Sequence, residues 1–521
     1  MIKTMINKTL LRSMGELHTW GGLIFGWLLF GIFLTGTLSI FQPELTHWMR
    51  PELRVTQVLP EQALAVADKK LRLAAPHADS WNILLPQDRQ PVLEVSWKKG
   101  KAASEKYVDP LTGVVLNERK TEGGHFFTEF HSELHSGKVG LGLVTLASLV
   151  MLAALVSGIV IRKQVFKEFF LLRWRRTWLH AHLMTGVFTL PFVLLITYTG
   201  LVLTFLEVMP VATQLLYESP AKLWVDVGLV SNPARANVPA AMLPLKQLLP
   251  LAEEQLGKDM IFFVQVKNPG DKEAVVTFIR RIDDRIAAVG DRASFNGVTG
   301  ELLGTHTKWN PYVYAVRSLA GLHVARFGGY IVTWLYFLSG LIGCIMIAAG
   351  LVFFTVKRRS RYAKSSQMLQ YAYCSIEALN TAAVTGILIA CTAYLWANRI
   401  LPISMKERAD AEIAVFFSVW LIMLVHAFWR SPLQAWFEQL AIAAGLCLGL
   451  PLINGLTTNV GLVPSILRGD WMTAGVDLTA MVLGALLAAV AWRVAIRQKN
   501  SNRPLKQTTP VINTTNVPAS S

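Results

Sequence analysis

Apolar and polar positions alternate along this chain in blocks far longer than a soluble core requires. Apolar runs of span length, about 20 residues, fall near 18–42, 139–161, 178–206, 328–356, 376–397, 412–429, 436–457 and 475–495. The pattern predicts a polytopic all-α membrane bundle of about eight transmembrane helices. Pro451 interrupts the seventh run. Between the runs lie two long polar connections, 43–136 and 209–320, each reading as a small α+β domain. In the first, Glu61 to Leu73 has helical spacing, and strand-like runs follow at 81–86 and 91–98. In the second, 243–256 is helical, with strand-like runs at 260–267 and 273–279. Each ends in a turn, Asp109-Pro110-Leu111-Thr112-Gly113 and Asn296-Gly297-Val298-Thr299-Gly300, where Asp or Asn opens the turn and Gly closes it at positive φ.

Composition sharpens this picture. The 521 residues are 53% hydrophobic and 16% charged, a balance that excludes an ordinary soluble domain. The net charge of +16 would suit nucleic acid. The basic residues instead cluster beside apolar runs, at 162–176, 357–364 and 493–506, as in membrane topology signals, so no nucleic acid partner is expected. All three clusters fall on one side if both termini are cytoplasmic. The mixed charges of 398–411 then suit an outer loop. The basic N-terminus followed by an uncharged run resembles a signal peptide, but the run is too long and reads as a retained helix. The domain plan is therefore 1–42 with the first helix, 43–136 outside, 137–208 with two helices and a basic loop, 209–320 outside, 321–369 with the fourth helix, 370–497 as an added four-helix unit, and a disordered tail at 498–521.

Residues 1–356 carry an internal duplication. His18-Thr19-Trp20-Gly21-Gly22 matches His182-Leu183-Met184-Thr185-Gly186. Thr35-Gly36 matches Thr199-Gly200, the two turns match, and Leu134-His135 with Gly140 matches Leu322-His323 with Gly328. Parallel repeats of this kind place equivalent helices opposite one another across an axis along the membrane normal. Four histidines then form two depth-matched pairs, His18 with His182 and His135 with His323. Paired neutral imidazoles are what low-spin haem iron accepts. His180 competes with His182, and His131, one turn from His135, is an alternative to it. Single histidines near a membrane interface are commonly amphipathic residues with a wet tip, and only the duplicated placement favours ligation. His426 has no repeat partner and reads as structural; His47, His77 and His306 show no ligand spacing. Gly22, Gly36, Gly186 and Gly200 would admit a flat macrocycle or serve helix packing. Arg326 and Lys138 suit haem propionates or mark the membrane surface. The four cysteines form no CxxCH, which excludes covalent haem.

The segments Gly15-Glu16-Leu17-His18-Thr19-Trp20-Gly21-Gly22, the two Asp/Asn-to-Gly turns, Leu134-His135 and Leu322-His323 together resemble the PepSY-associated transmembrane family of iron-regulated membrane proteins, over about 1–360. The resemblance implies a bacterial inner-membrane location, PepSY-like periplasmic domains, two b-type haems and a ferrisiderophore reductase activity. Its partners would be membrane lipid, a ferric siderophore in the periplasm, and a quinol or separate cytoplasmic electron donor, since no nucleotide or flavin fold fits the inner loops. Two alternatives stand beside it: a non-redox PepSY protein that binds or regulates an envelope partner, and an iron-chelate transporter. The helices are expected to lack buried acidic residues, with only Glu207, near the end of the third, coming close, which argues against transport.

Overall fold

The computed structural model describes residues 2–55, 58–162, 164–170, 177–208 and 234–501. The tail beyond 501 and parts of the 162–176 and 209–320 segments lie outside the described residues.

The first apolar run folds as two helices, α1 (Ile2–Ile24) and α2 (Gly26–Ser39). They bend by 61° at Phe25, where Gly21, Gly22 and Gly26 weaken the helix. The single straight helix read over 18–42 is thus corrected to a bent pair. A short α3 (Gln42–Met49) leads to α4 (Pro60–Ala74), strands β1 (Ser80–Leu84), β2 (Leu93–Lys99), β3 (Ala102–Val108) and β4 (Val115–Leu116), then α5 (His125–Glu133), α6 (Gly137–Ile161), α7 (Val165–Phe170) and α8 (Trp178–Val208). The second polar connection gives α9 (Leu245–Leu256), β5 (Ile261–Lys267), β6 (Val275–Arg280), β7 (Arg292–Asn296) and β8 (Leu302–His306), followed by α10 (Pro311–Val324) and α11 (Gly329–Tyr362). The C-terminal unit holds α12 (Gln367–Thr381), which passes through a π-helical turn at Ala382–Gly386 into α13 (Ile387–Ile400), then α14 (Arg408–Trp429), α15 (Pro432–Thr457), α16 (Leu462–Leu467) and α17 (Trp471–Ser501).

Seven described helical stretches are long and apolar enough to cross a membrane: α6, α8, α11, α12–α13 taken together, α14, α15 and α17. The bent α1–α2 pair meets the same test jointly. A closed bundle of helices is how a chain satisfies its backbone in lipid.

The two polar connections do not fold as separate sheets. Their strands form one antiparallel sheet in the order β4-β3-β2-β1-β5-β6-β7-β8, joined edge to edge where β1 pairs with β5. Helices α4 and α9 share one apolar core with it, built on Leu64, Leu71, Trp81, Leu248, Val264 and Phe278. They are linked by Arg72 donating to Leu243 O (2.8 Å) and by Leu245 N donating to Asp68 (3.0 Å). Both turns form as read. Asp109 Oδ1 accepts from the amides of Leu111 and Thr112, Asn296 Oδ1 from those of Val298 and Thr299. Gly113 and Gly300 close them at φ 75° and 77°.

The 398–411 connection departs from expectation. Its Arg399 and Arg408 are buried, as are Glu412 and Asp477 inside the neighbouring spans. The apolar runs therefore do hold buried acids. Arg408 pairs with Glu412, and Asp477 accepts from Trp48 Nε1 (2.9 Å) and Asn454 Nδ2 (3.0 Å). Paired and bonded in this way, they close a network at the sheet end of the bundle.

Candidate cofactor site

Each of four histidines rests on a glycine of a neighbouring helix and hydrogen-bonds one turn before it. His18 on α1 lies against Gly158 of α6, and its Nδ1 donates to Ala154 O at 2.9 Å. His182 on α8 lies against Gly350 of α11, with Nδ1 donating to Met346 O at 2.8 Å. At the sheet end, His131 on α5 lies against Gly36 of α2, with Nδ1 donating to Ile32 O at 2.8 Å. His323 on α10 lies against Gly200 of α8; its Nδ1 is 3.0 Å from Thr199 Oγ1, and it bonds the Ile196 carbonyl. A Cβ on these glycines would sit 3.2, 3.0, 2.6 and 2.8 Å from the respective rings. No larger residue admits the ring without a shift.

At His18, His131 and His182 the Nδ1 partner is a carbonyl, which only accepts, so the proton sits on Nδ1 and Nε2 keeps its lone pair. A ring held through one nitrogen in this way is the usual arrangement for a ligating imidazole. Among the described residues no hydrogen bond engages Nε2 of these three rings. The rings meet in two pairs. His18 and His182 have centroids 6.0 Å apart with planes at 65°; His131 and His323 have centroids 6.0 Å apart with planes at 28°. Two metal–nitrogen bonds of about 2 Å, each with a ring radius of about 1.1 Å behind it, would set centroids about 6 Å apart. At that spacing the two rings of each pair would hold one iron between them. Beside Gly22, one turn from His18, the space is open. Among the described residues no three His, Cys, Asp or Glu side chains converge on one point, so two imidazoles are what each site offers.

His135 is not brought to His323, and its place there is taken by His131. Helix α5 ends in the left-handed region at Leu134 (φ 53°), and His135 follows at φ 52°. Its ring turns back to Glu129, with Nδ1 3.1 Å from Oε2, between Phe126 and Phe417. The Leu-His match across the halves was one helical turn out of register. His131 and His323 are 192 residues apart, and so are the seats Gly158 and Gly350 and the helix starts Gly137 and Gly329. The 192 spacing was readable in the sequence; Gly158 and Gly350 were overlooked because no motif marks them. Gly36 and Gly200 seat imidazoles, whereas Gly186 only touches Met346.

The remaining candidates stay apart. His180 is half-buried, its ring on Thr177 Oγ1 at 2.9 Å. His426 bonds Glu438 (2.8 Å), His47 faces Asp470 (3.5 Å), and His306 packs edge-on against Trp309. Lys138 is exposed at the start of α6. Arg326 lines a cleft of about 220 Å³ between bundle and sheet, with Arg50, Arg89, Tyr107 and Phe262. Nearby, burial pushes the Glu94 carboxyl up to about 7, with Glu105 adding to the rise and Arg50 opposing it. Burial also pushes the Tyr107 phenol up to about 12.

Apolar helices under a sheet at one end define a multi-pass membrane protein. The model of the PepSY-associated TM region matches residues 16–357, and the chain belongs to that family. It is also similar to the uncharacterised protein PA4219 of Pseudomonas aeruginosa, 25% identical over 394 residues, which cover 70% of this chain and 93% of that one.

Proposed function

We propose that this chain carries electrons across the bacterial inner membrane through two b-type haems and reduces ferric iron held by a siderophore in the periplasm. The inner haem is held by His18 and His182, the outer by His131 and His323. One observation carries the reading: two imidazole pairs, built alike on glycine seats and spaced for one iron each, at the two ends of one bundle. On α8 alone, His182 and Gly200 stand 18 residues apart. That is about 27 Å of helix, close to a bilayer's hydrocarbon thickness.

The basic segments 357–364 and 493–506 support a cytoplasmic His18/His182 end with both termini inside, and a periplasmic sheet. The duplicated helix–sheet–helix halves, with eight spans in all when α1–α2 is counted as one, supply the two sites. A bound haem exchanges one electron at a time between its ferric and ferrous states. The protein's own part is to fix the rings through Nδ1 and keep Nε2 unprotonated. The cleft lined by Arg50 and Arg326, with Arg89 already paired to Glu44, supplies cations beside the outer site for an anionic chelate. Chelated Fe(III) accepts one electron there and leaves its hard oxygen donors as Fe(II). The electron comes from a quinol or a separate cytoplasmic donor.

The test is a reoxidation assay on purified protein. Dithionite-reduced protein shows a b-type α band that decays when ferric siderophore is added, with Fe(II) captured by a ferrous chelator in matching amount. Absence of the band after expression with ample haem, or a band indifferent to the chelate, would overturn the reading.

A further inference from the structure

The C-terminal unit, α12 to α17, lies outside the family match, which ends at residue 357. Its helices α13 and α14 pack against α5. Phe126 stacks on Tyr394 at 4.6 Å and meets Phe416 edge-on at 4.9 Å; Phe130 meets Phe416 at 5.4 Å and Trp420 at 6.0 Å. Phe126, Phe130, Tyr394 and Phe416 are all buried. Phe130 immediately precedes His131.

A polar network holds the segment leading into α5. Tyr394 Oη donates to Gly123 O at 3.0 Å, Arg408 to Lys120 O at 3.1 Å, and Arg119 to Asn398 O at 2.8 Å. Thr121 Oγ1 donates to Glu412, which also accepts from Asn398 Nδ2 (2.8 Å) and Arg408. Ionic groups buried this completely gain little stability for their desolvation, and their attested use is to specify one arrangement. Among the described residues the second half shows no such network at its histidine helix; Tyr336 Oη donates to Leu322 O at 2.8 Å. In α10, which carries His323, only Ala320 and Gly321 are buried, and Arg317 ties the helix to Ala288 O of the sheet-side loop at 2.6 Å.

We infer that the C-terminal unit is a brace that positions His131, acting through Tyr394, Phe416, Trp420 and Glu412 as positioning residues. The inference rests on the proposed haem ligation for its redox meaning, and on the packing alone for the brace. An unbraced α5 would let the His131 ring leave its 28° alignment with His323, whereas the 65° pair of His18 and His182 would be unaffected. With an iron held by each pair, the angle between the two imidazole planes would set the splitting of its d orbitals, and the outer pair, at 28°, would give the more rhombic of two low-spin electron paramagnetic resonance signals.

The experiment uses full-length Phe416→Leu and Glu412→Gln proteins, the second serving if the first does not fold. The expected result is a shifted or broadened rhombic signal, an unchanged inner signal, and hydrogen exchange at 125–133 faster by about tenfold or more with α10 unchanged. Unchanged exchange at 125–133 together with an unchanged rhombic signal would overturn the brace. A wild-type protein without haem would sink the proposed function, and exchange at 125–133 would then decide the brace by itself.

Discussion

Adding one methyl group at Gly36 should remove the outer site and spare the inner one. The Cβ of Gly36→Ala would stand 2.6 Å from His131 Nδ1 and 2.7 Å from Cε1. Carbon contacts settle at about 3.5 Å or more, so the ring must move by about 1 Å. A functional constellation tolerates about 0.5 Å. The ring is also tied to Ile32 O, so a shift strains or breaks that bond. Overpacking of this kind costs about 1–3 kcal/mol; at about 1.4 kcal/mol per tenfold, outer ligation weakens by roughly 5- to 150-fold. Gly445→Ala, on α15 away from both pairs, is the control, since nothing lies within 4 Å of its added Cβ. Haem-to-protein ratios and redox titration of the two purified variants are the assay. Gly36→Ala should hold about half the wild-type haem or show a displaced outer potential, with Gly445→Ala unchanged. A Gly36→Ala protein with wild-type haem content and potentials would refute the seating argument.

Two further outcomes follow from the same geometry. His135→Ala should leave haem content and chelate reduction unchanged, because its ring faces Glu129 rather than His323; loss of the outer haem would restore His135 as ligand. Glu94 offers a pH test in the sheet. Its carboxyl is raised to about 7 when folded, so its stabilising contribution is complete below the ordinary carboxylate value and is lost as pH rises through about 7. Glu94→Gln should therefore raise the unfolding temperature at pH 8 and leave it unchanged at pH 5. Equal shifts at both values would contradict the assignment.

The spans and the helix–strand order of the outer units were legible because a 20-residue apolar run and a period-two strand leave direct traces in sequence. The Asp109 and Asn296 turns were legible for the same reason, each needing its side-chain acceptor and its positive-φ glycine. His18 and His182 were found because the motif around them repeats. His135 rather than His131 is what the match of Leu134-His135 to Leu322-His323 selects, and the left-handed residue Leu134 that ends α5 leaves no sequence mark. The merging of the two units through β1 and β5 was not legible, since backbone pairing between strand edges asks nothing specific of side chains. The charges at 398–411 read as an outer loop, and Glu412 as the start of an apolar run, because sequence shows charge without its partners. Those partners, Trp48 O, Lys120 O and Thr121, lie hundreds of residues away.

The central claim is that His18/His182 and His131/His323 each hold one haem. Pyridine haemochrome analysis of the wild type, His182→Ala and His131→Ala, each normalised to protein, tests it most directly. The account predicts two b-type haems in the wild type and one in each variant, with His182→Ala keeping the rhombic resonance signal and His131→Ala losing it. Two haems retained in either variant, or none in the wild type, would contradict it.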